Sequence, residues 1–282
     1  MDTLSNQHIE KSKKQMFYVA VLTLSTIALS IISIGFGSSE NLDMMTTLRI
    51  ILGFDDASDL QSNIIWELRF PRILMAIIAG AALAVAGSLM QGCLGNPLVS
   101  PLTLGVASGA ALGAAFAIVL GISIIDTPEI AIVANAFFFS LIVVAIIIKL
   151  GNMRSVSPES YILVGIAITF IAGAIVSTLQ YFASDAQLSQ LTHWSFGSLS
   201  RPSLFNVLCI CVAILTLLPR AVKWAWDLNA MSLGGDDFAI STGVEPGKIR
   251  RDILIFSALM TSIIIAFTGL IGFVGLAAPH MS

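Results

Sequence analysis

Arg69-Phe70-Pro71-Arg72 opens a block in which no charged side chain follows from Ile73 to Ser100, and which runs into Gln91-Gly92-Cys93-Leu94-Gly95-Asn96-Pro97-Leu98. One bilayer crossing needs roughly 20 apolar residues, so this block is long enough for a span. Its Gly, Gln, Asn and Pro are more than an inert anchor would need. The pattern predicts a membrane protein whose helices carry function.

Composition extends that reading to the whole chain. Of 282 residues, 56% are hydrophobic and 11% charged, against about 25% charged in an ordinary soluble domain. Seven blocks are predicted to cross the bilayer: 16–37, 70–92, 103–122, 129–148, 160–183, 204–222 and 252–272. The first follows a polar start with Lys11, Lys13 and Lys14. It is too long for a signal-peptide apolar region and lacks a small-residue cleavage site, so it reads as a retained span.

Orientation follows from the basic residues. With the N-terminus in the cytoplasm, ten of the fourteen Lys and Arg fall on that side. Only Arg49, Arg69, Arg72 and Arg201 fall outside. That is the arrangement the positive-inside rule favours. Glu40, Asp43, Asp55, Asp56, Asp59 and Glu67 cluster in the first outer loop, read as a short amphipathic stretch on the outer face.

The charge and motif inventory excludes several functions. A net charge of −3 leaves no basic stripe for nucleic acid. No ionisable residue falls in the middle of the predicted spans, whereas ion-coupled carriers usually hold one there. Cys93, Cys209 and Cys211 form neither a C-x-x-C pair nor an even framework, and read as structural. His8, His193 and His280 are scattered, and H-E-x-x-H and G-x-S-x-G are missing. Gly243-Val244-Glu245-Pro246-Gly247-Lys248-Ile249 has too few residues between its glycines for a P-loop, and Ile where Ser or Thr must hold Mg²⁺. No enzyme activity, metal site or cofactor is expected, and the driving energy should come from another subunit.

Glycine spacing predicts close helix packing. Gly105, Gly109 and Gly113 form a small-xxx-small ladder that lets backbones approach. Gly80 and Gly87, then Gly269, Gly272 and Gly275, extend the theme. The segment from Trp224 to Gly247 differs, being long, cytoplasmic and glycine-punctuated. It reads as two short helices, with Asp236 and Asp237 in the first turn of the second and Gly243 as its stop.

Several motifs occur in one order: Arg69-Phe70-Pro71-Arg72 with Gly80-Ala81-Ala82-Leu83; Gln91, then Asn96-Pro97-Leu98 and Pro101; and Leu104-Gly105-Val106-Ala107-Ser108-Gly109-Ala110. Leu233-Gly234 with Ala239 and Gly243-Val244 comes next, then Gly269 to Leu276 with Pro279-His280. In this order they resemble the permeases of the iron-siderophore and vitamin B12 family of ABC importers, the FecCD/BtuC-like type, from about residue 65 onward.

The resemblance implies an all-α, BtuC-like polytopic membrane bundle forming a single transmembrane permease domain over 1–282. It would sit in the bacterial cytoplasmic membrane and import an iron-siderophore complex, with cobalamin or haem as the alternative cargo. A gradient-driven carrier is the rival from another class. The implied partners are a second permease subunit, two cytoplasmic ATPase subunits and an extracytoplasmic solute-binding protein.

By motif, Arg69 and Arg72 would dock the binding protein. Leu228, Leu233, Gly234, Asp236, Ala239, Gly243 and Val244 would couple to the ATPase. Leu163, Gly165, Ile168, Ala172 and Trp194 would line the path, with the helix around 187–194 near the outer gate. Gln91, Asn96, Pro97, Gly105, Gly109, Gly275, Pro279 and His280 are motif positions. Gly95 stands where many members have Arg, and Thr242 where Leu is usual. Past Pro279-His280 the family continues with roughly three more helices. The resemblance therefore implies seven complete spans and part of an eighth, in a fragment or a truncated product lacking the family's C-terminal helices.

Overall fold

A computed structural model describes residues 2–36, 42–54, 58–154 and 157–281, and among them every regular element is helical. Glu40, Asp55 and Asp56 of the first loop lie outside the described residues. The chain divides into two compact units, 1–74 and 75–282.

In the first unit, α1 (Asp2–Gly35) carries an apolar window none of which is buried. A helix satisfies its own backbone hydrogen bonds, which lets such a stretch stand in hydrocarbon. Gly35 permits a tight approach to α2 (Met44–Ile51): a Cβ there would lie 2.7 Å from Met44 Cγ. Asp43 caps α2, its Oδ1 accepting from the Thr46 N–H at 3.0 Å. The Thr46 hydrogen bonds hold the Asp43 carboxyl below its usual range. After α3 (Asp59–Asn63), opened by a Ser58–Gln61 capping box, Ile64–Arg69 winds as a wider π turn. The amphipathic stretch expected in this loop is thus two short capped helices.

The second unit holds most of α4 (Phe70–Leu94), then α5 (Val106–Leu120), α6 (Pro128–Arg154), α7 (Pro158–Phe182) and α8 (Asp185–Phe196). It continues with α9 (Leu204–Ala221), α10 (Ala225–Ser241), α11 (Pro246–Thr268) and α12 (Val274–Met281). The centre is α5 packed on α6 and α7, with α11 against α6 and also touching α5. Gly109 and Gly113 make the first contact possible. A Cβ at Gly109 would meet Phe139 O at 2.9 Å, and one at Gly113 would meet Asn135 O at 2.3 Å. Hydroxyls add to these contacts: Ser140 Oγ donates to Ser262 Oγ at 2.6 Å between α6 and α11. Buried Asn135 closes the α5–α6 loop, donating to Ile122 O at 2.7 Å and accepting from Ile124 N–H at 3.0 Å.

Among the described residues, six helical runs are long and apolar enough to cross a bilayer: Glu10–Gly35, Asp59–Leu94, Ile130–Gly151, Pro158–Phe182, Leu204–Ser241 and Pro246–Thr268. The block expected at 103–122 is helical over only 15 residues, α5, about 22 Å of rise against a core of about 30 Å. Its start is delayed by a reciprocal turn in which Ser100 N–H donates to Thr103 Oγ1 and Thr103 N–H to Ser100 Oγ. Gly105 then stands at φ 101.

Two glycines assigned to close packing do not serve it. A Cβ on Gly80 or Gly272 would meet nothing within 4 Å. Spacing brought them into the pattern, but neither lies at a helix crossing. Gly87, Gly269 and Gly275 do.

Candidate functional site

The segment after α9 is built around a break. Gly234 (φ −149, ψ 17) and Gly235 (φ 70, ψ −164) leave helical geometry and divide α10 in two. The Gly235 conformation is essentially closed to L residues. Asp236 and Asp237 follow directly, so the second half begins with two carboxylates at the positive end of its dipole. It ends in a Schellman motif: Val244 N–H donates to Ala239 O, Gly243 N–H donates to Ile240 O, and Gly243 stands at φ 87.

One face of this broken helix is apolar and open. Leu233 is 79% exposed and Trp226 85%. With Asp227, Asn229, Phe238 and Val244 among others they line a concave pocket of about 620 Å³, apolar over most of its wall. The opposite side is anchored. Ala239 is fully buried and Leu228 lies 3.6 Å from the Cβ position of Gly92.

The main anchor is Arg250, in the second turn of α11 and 3% exposed. Its Nη1 donates to Asp236 Oδ2 at 2.8 Å, its Nη2 to Asp236 Oδ1, and its Nε to Cys93 O at 2.9 Å. The fork geometry of guanidinium suits this bidentate grip on a carboxylate. Sequence reading passed over Arg250 as one more basic loop residue. The usable signal was Asp236 standing just beyond a Gly-Gly break, a carboxylate requiring a partner.

The other expected residues spread widely. Arg69 Nη1 donates to Ile34 O at 2.7 Å, capping the end of α1, whereas Arg72 is exposed. Leu163 is 67% exposed. Gly165 and Ala172 are buried, Gly165 against Leu104, and Ile168 is half-buried between them. Leu163 and the Gly165–Ala172 stripe therefore occupy different faces of α7. Trp194 is buried where the ends of α8 and α11 cross backbone to backbone: Ser198 N–H donates to Thr268 O at 2.6 Å, and a Cβ at Gly269 would meet Trp194 O at 2.2 Å.

The motif positions are structural in their contacts. Gln91 Nε2 donates to Leu276 O at 3.2 Å, and Gly275 packs on Leu83 O. Asn96 Oδ1 accepts from Leu98 N–H at 2.9 Å beside exposed Pro97. Pro279 lies within α12, where the exposed His280 ring contacts Leu276 O at 2.9 Å. The sequence also did not disclose Phe273, at φ 69 and 79% exposed, at the centre of a turn in which Val274 N–H donates to Gly272 O.

A bundle of apolar helices with close glycine crossings and a glycine-broken helix pair describes a polytopic membrane protein. Residues 25–282 match the FecCD transport family, and the chain belongs to it. The chain is 35% identical over 279 residues to a protein of Methanocaldococcus jannaschii named as an ABC transporter permease, covering 96% of this chain and 78% of that one. It is 34% identical to the hemin transport system permease HmuU of Yersinia pestis, covering 92% and 78%. Identity to the Fe(3+)-citrate import system permease YfmE of Bacillus subtilis is 32%, covering 96% and 79%. A solved inward-facing ABC transporter of the metal-chelate type matches with TM-score 0.79 and 28% identity, over 94% of this chain and 80% of that one.

Proposed function

We propose that this chain is the membrane-spanning subunit of an ATP-driven importer of iron-siderophore complexes. The observation that carries this reading is the broken α10, with an exposed apolar face around Leu233 and a buried anchor behind it. Such a surface suits a soluble partner that delivers force. In this reading two ATPase subunits couple to the segment of Leu228, Leu233, Gly234, Asp236, Ala239, Gly243 and Val244, docking on its open face at Leu233 and Val244 while Leu228, Asp236 and Ala239 anchor it from behind. A second permease subunit completes the path along Leu163, Gly165, Ile168, Ala172 and Trp194, and the N-terminus lies in the cytoplasm of a bacterial cell. An extracytoplasmic binding protein docks on Arg72, with Arg69 beside it also holding the end of α1.

The test is uptake in vesicles carrying the transporter purified through a tag on this chain. Ferric siderophore, haemin and cobalamin are offered separately with and without ATP. ATP-dependent entry of the ferric siderophore supports the proposal. Entry of haemin or cobalamin alone would replace the ferric siderophore with that compound as the cargo. Uptake abolished by a protonophore while ATP stays high would replace the ATP-driven reading with a gradient-driven carrier. Arg72→Glu should weaken uptake without lowering the amount of folded protein; unchanged uptake would remove Arg72 from the docking surface.

A further inference from the structure

Arg250 joins three elements that the sequence holds far apart. Its guanidinium grips Asp236, the first residue after the Gly234-Gly235 break, through both carboxylate oxygens. The same group donates through Nε to Cys93 O, in the last turn of α4. That carbonyl belongs to the helix-terminal set with no intrahelical N–H to accept from, so the contact is also a cap. Two residues earlier, Gln91 Nε2 donates to Leu276 O of α12. One turn further back, Gly87 lies against Gly275 with no room for a side chain. A continuous series of direct contacts therefore runs from the second half of α10, through Arg250, into α4 and on to α12.

The position of Arg250 is otherwise unfavourable. A nearly fully buried cation loses its hydration. Simple packing would be met by an apolar residue of similar volume. Lysine would keep the charge but could not hold a carboxylate and a carbonyl at once in a planar fork.

We propose that Arg250 is a positioning residue for transport: it fixes the second half of α10 to the end of α4, so that displacement of α10 by a docked ATPase reaches the α4–α12 pair. This rests on the reading of α10 as the ATPase-docking segment. Arg250 touches neither cargo nor nucleotide. Its role is to keep ATP hydrolysis and helix movement in step.

The experiment measures ferric siderophore uptake and ATP hydrolysis together, in proteoliposomes of the complete transporter. In Arg250→Lys, uptake per ATP should fall about tenfold while hydrolysis changes by no more than about twofold. Combining it with Asp236→Asn should lower the ratio no further than either change alone, as for two members of one linkage. An unchanged ratio in both Arg250→Lys and Arg250→Gln overturns the proposal.

A partner-independent measurement separates this from failure of the functional reading. Spin labels on Ser88→Cys of α4 and Ser241→Cys of α10, in a Cys209→Ser background, report the distance between the two helices. If the wild type shows no ATP-driven uptake, the importer reading fails and this distance decides the linkage. A distribution broadened in Arg250→Lys keeps it; one identical to the wild type overturns it.

Discussion

Gly87 and Gly275 meet backbone to backbone: a Cβ on Gly87 would stand 1.9 Å from the Gly275 carbonyl oxygen, with the Gly275 Cα 3.1 Å away. No rotamer change relieves that overlap, because the obstacle is main chain. Gly87→Ala should therefore force α4 and α12 apart and destabilise the fold by about 3 kcal/mol or more. Gly80→Ala, two turns earlier on α4 with nothing within 4 Å, should be close to neutral. Detergent melting of the two variants checks the contrast; equal melting would place the crossing elsewhere.

Gly235→Ala should destabilise through its dihedrals, since a Cβ there meets nothing within 4 Å but φ stands at +70 with ψ −164. The expected magnitude is about 1–3 kcal/mol. Gly234→Ala should act differently, by collision, because its Cβ would lie 2.5 Å from Phe238 Cβ. Under the proposed function both should uncouple ATP hydrolysis from uptake, and protease sensitivity around residue 234 should rise in both. Unchanged sensitivity would mean that the break tolerates side chains.

Asn135 is buried with both ends of its amide engaged by the loop at Ile122 and Ile124. Asn135→Leu should leave an N–H and a C=O without partners and destabilise by about 2 kcal/mol. Asn135→Asp keeps the acceptor for Ile124 N–H and loses the donor to Ile122 O. It should be the worse change at neutral pH, where the carboxylate is charged and buried, and should improve as acid neutralises it. Melting at two pH values reads both variants.

Asp43 gives α2 a pH dependence of known sign. Thr46 holds the carboxyl below its usual range, so the folded state prefers the ionised form. That contribution is complete above the unfolded value of about 4 and is lost as pH falls through the lower, folded value. Amide exchange across 44–51 should accelerate in that acid window, and Asp43→Asn should remove the pH dependence.

The apolar helices were legible because lipid imposes composition: an uncharged run such as 73–100 has few other uses. The two halves of α10 were legible too, from Gly234, Gly235 and Gly243, since turn chemistry is local. The late start of α5 was less so, because Ser100 and Thr103 look like ordinary residues of a mildly polar span and declare themselves only by bonding each other. Glycine spacing nominated Gly80 and Gly87 alike, and only the position of α12 separates them. Arg250 was the furthest from view. One of its partners lies 14 residues away and another 157, and no local pattern encodes either distance.

The paired glycines of α10 also set its mechanics. On either side of them the chain is hydrogen-bonded helix, about 13 Å in 225–233 and about 9 Å in 236–241. Bending is concentrated in the four dihedrals between, so the two glycines form a hinge about which either arm can turn with little resistance from the other. The shorter arm is held from its first residue by the grip of Arg250 on Asp236, which leaves the longer arm as the freer of the two.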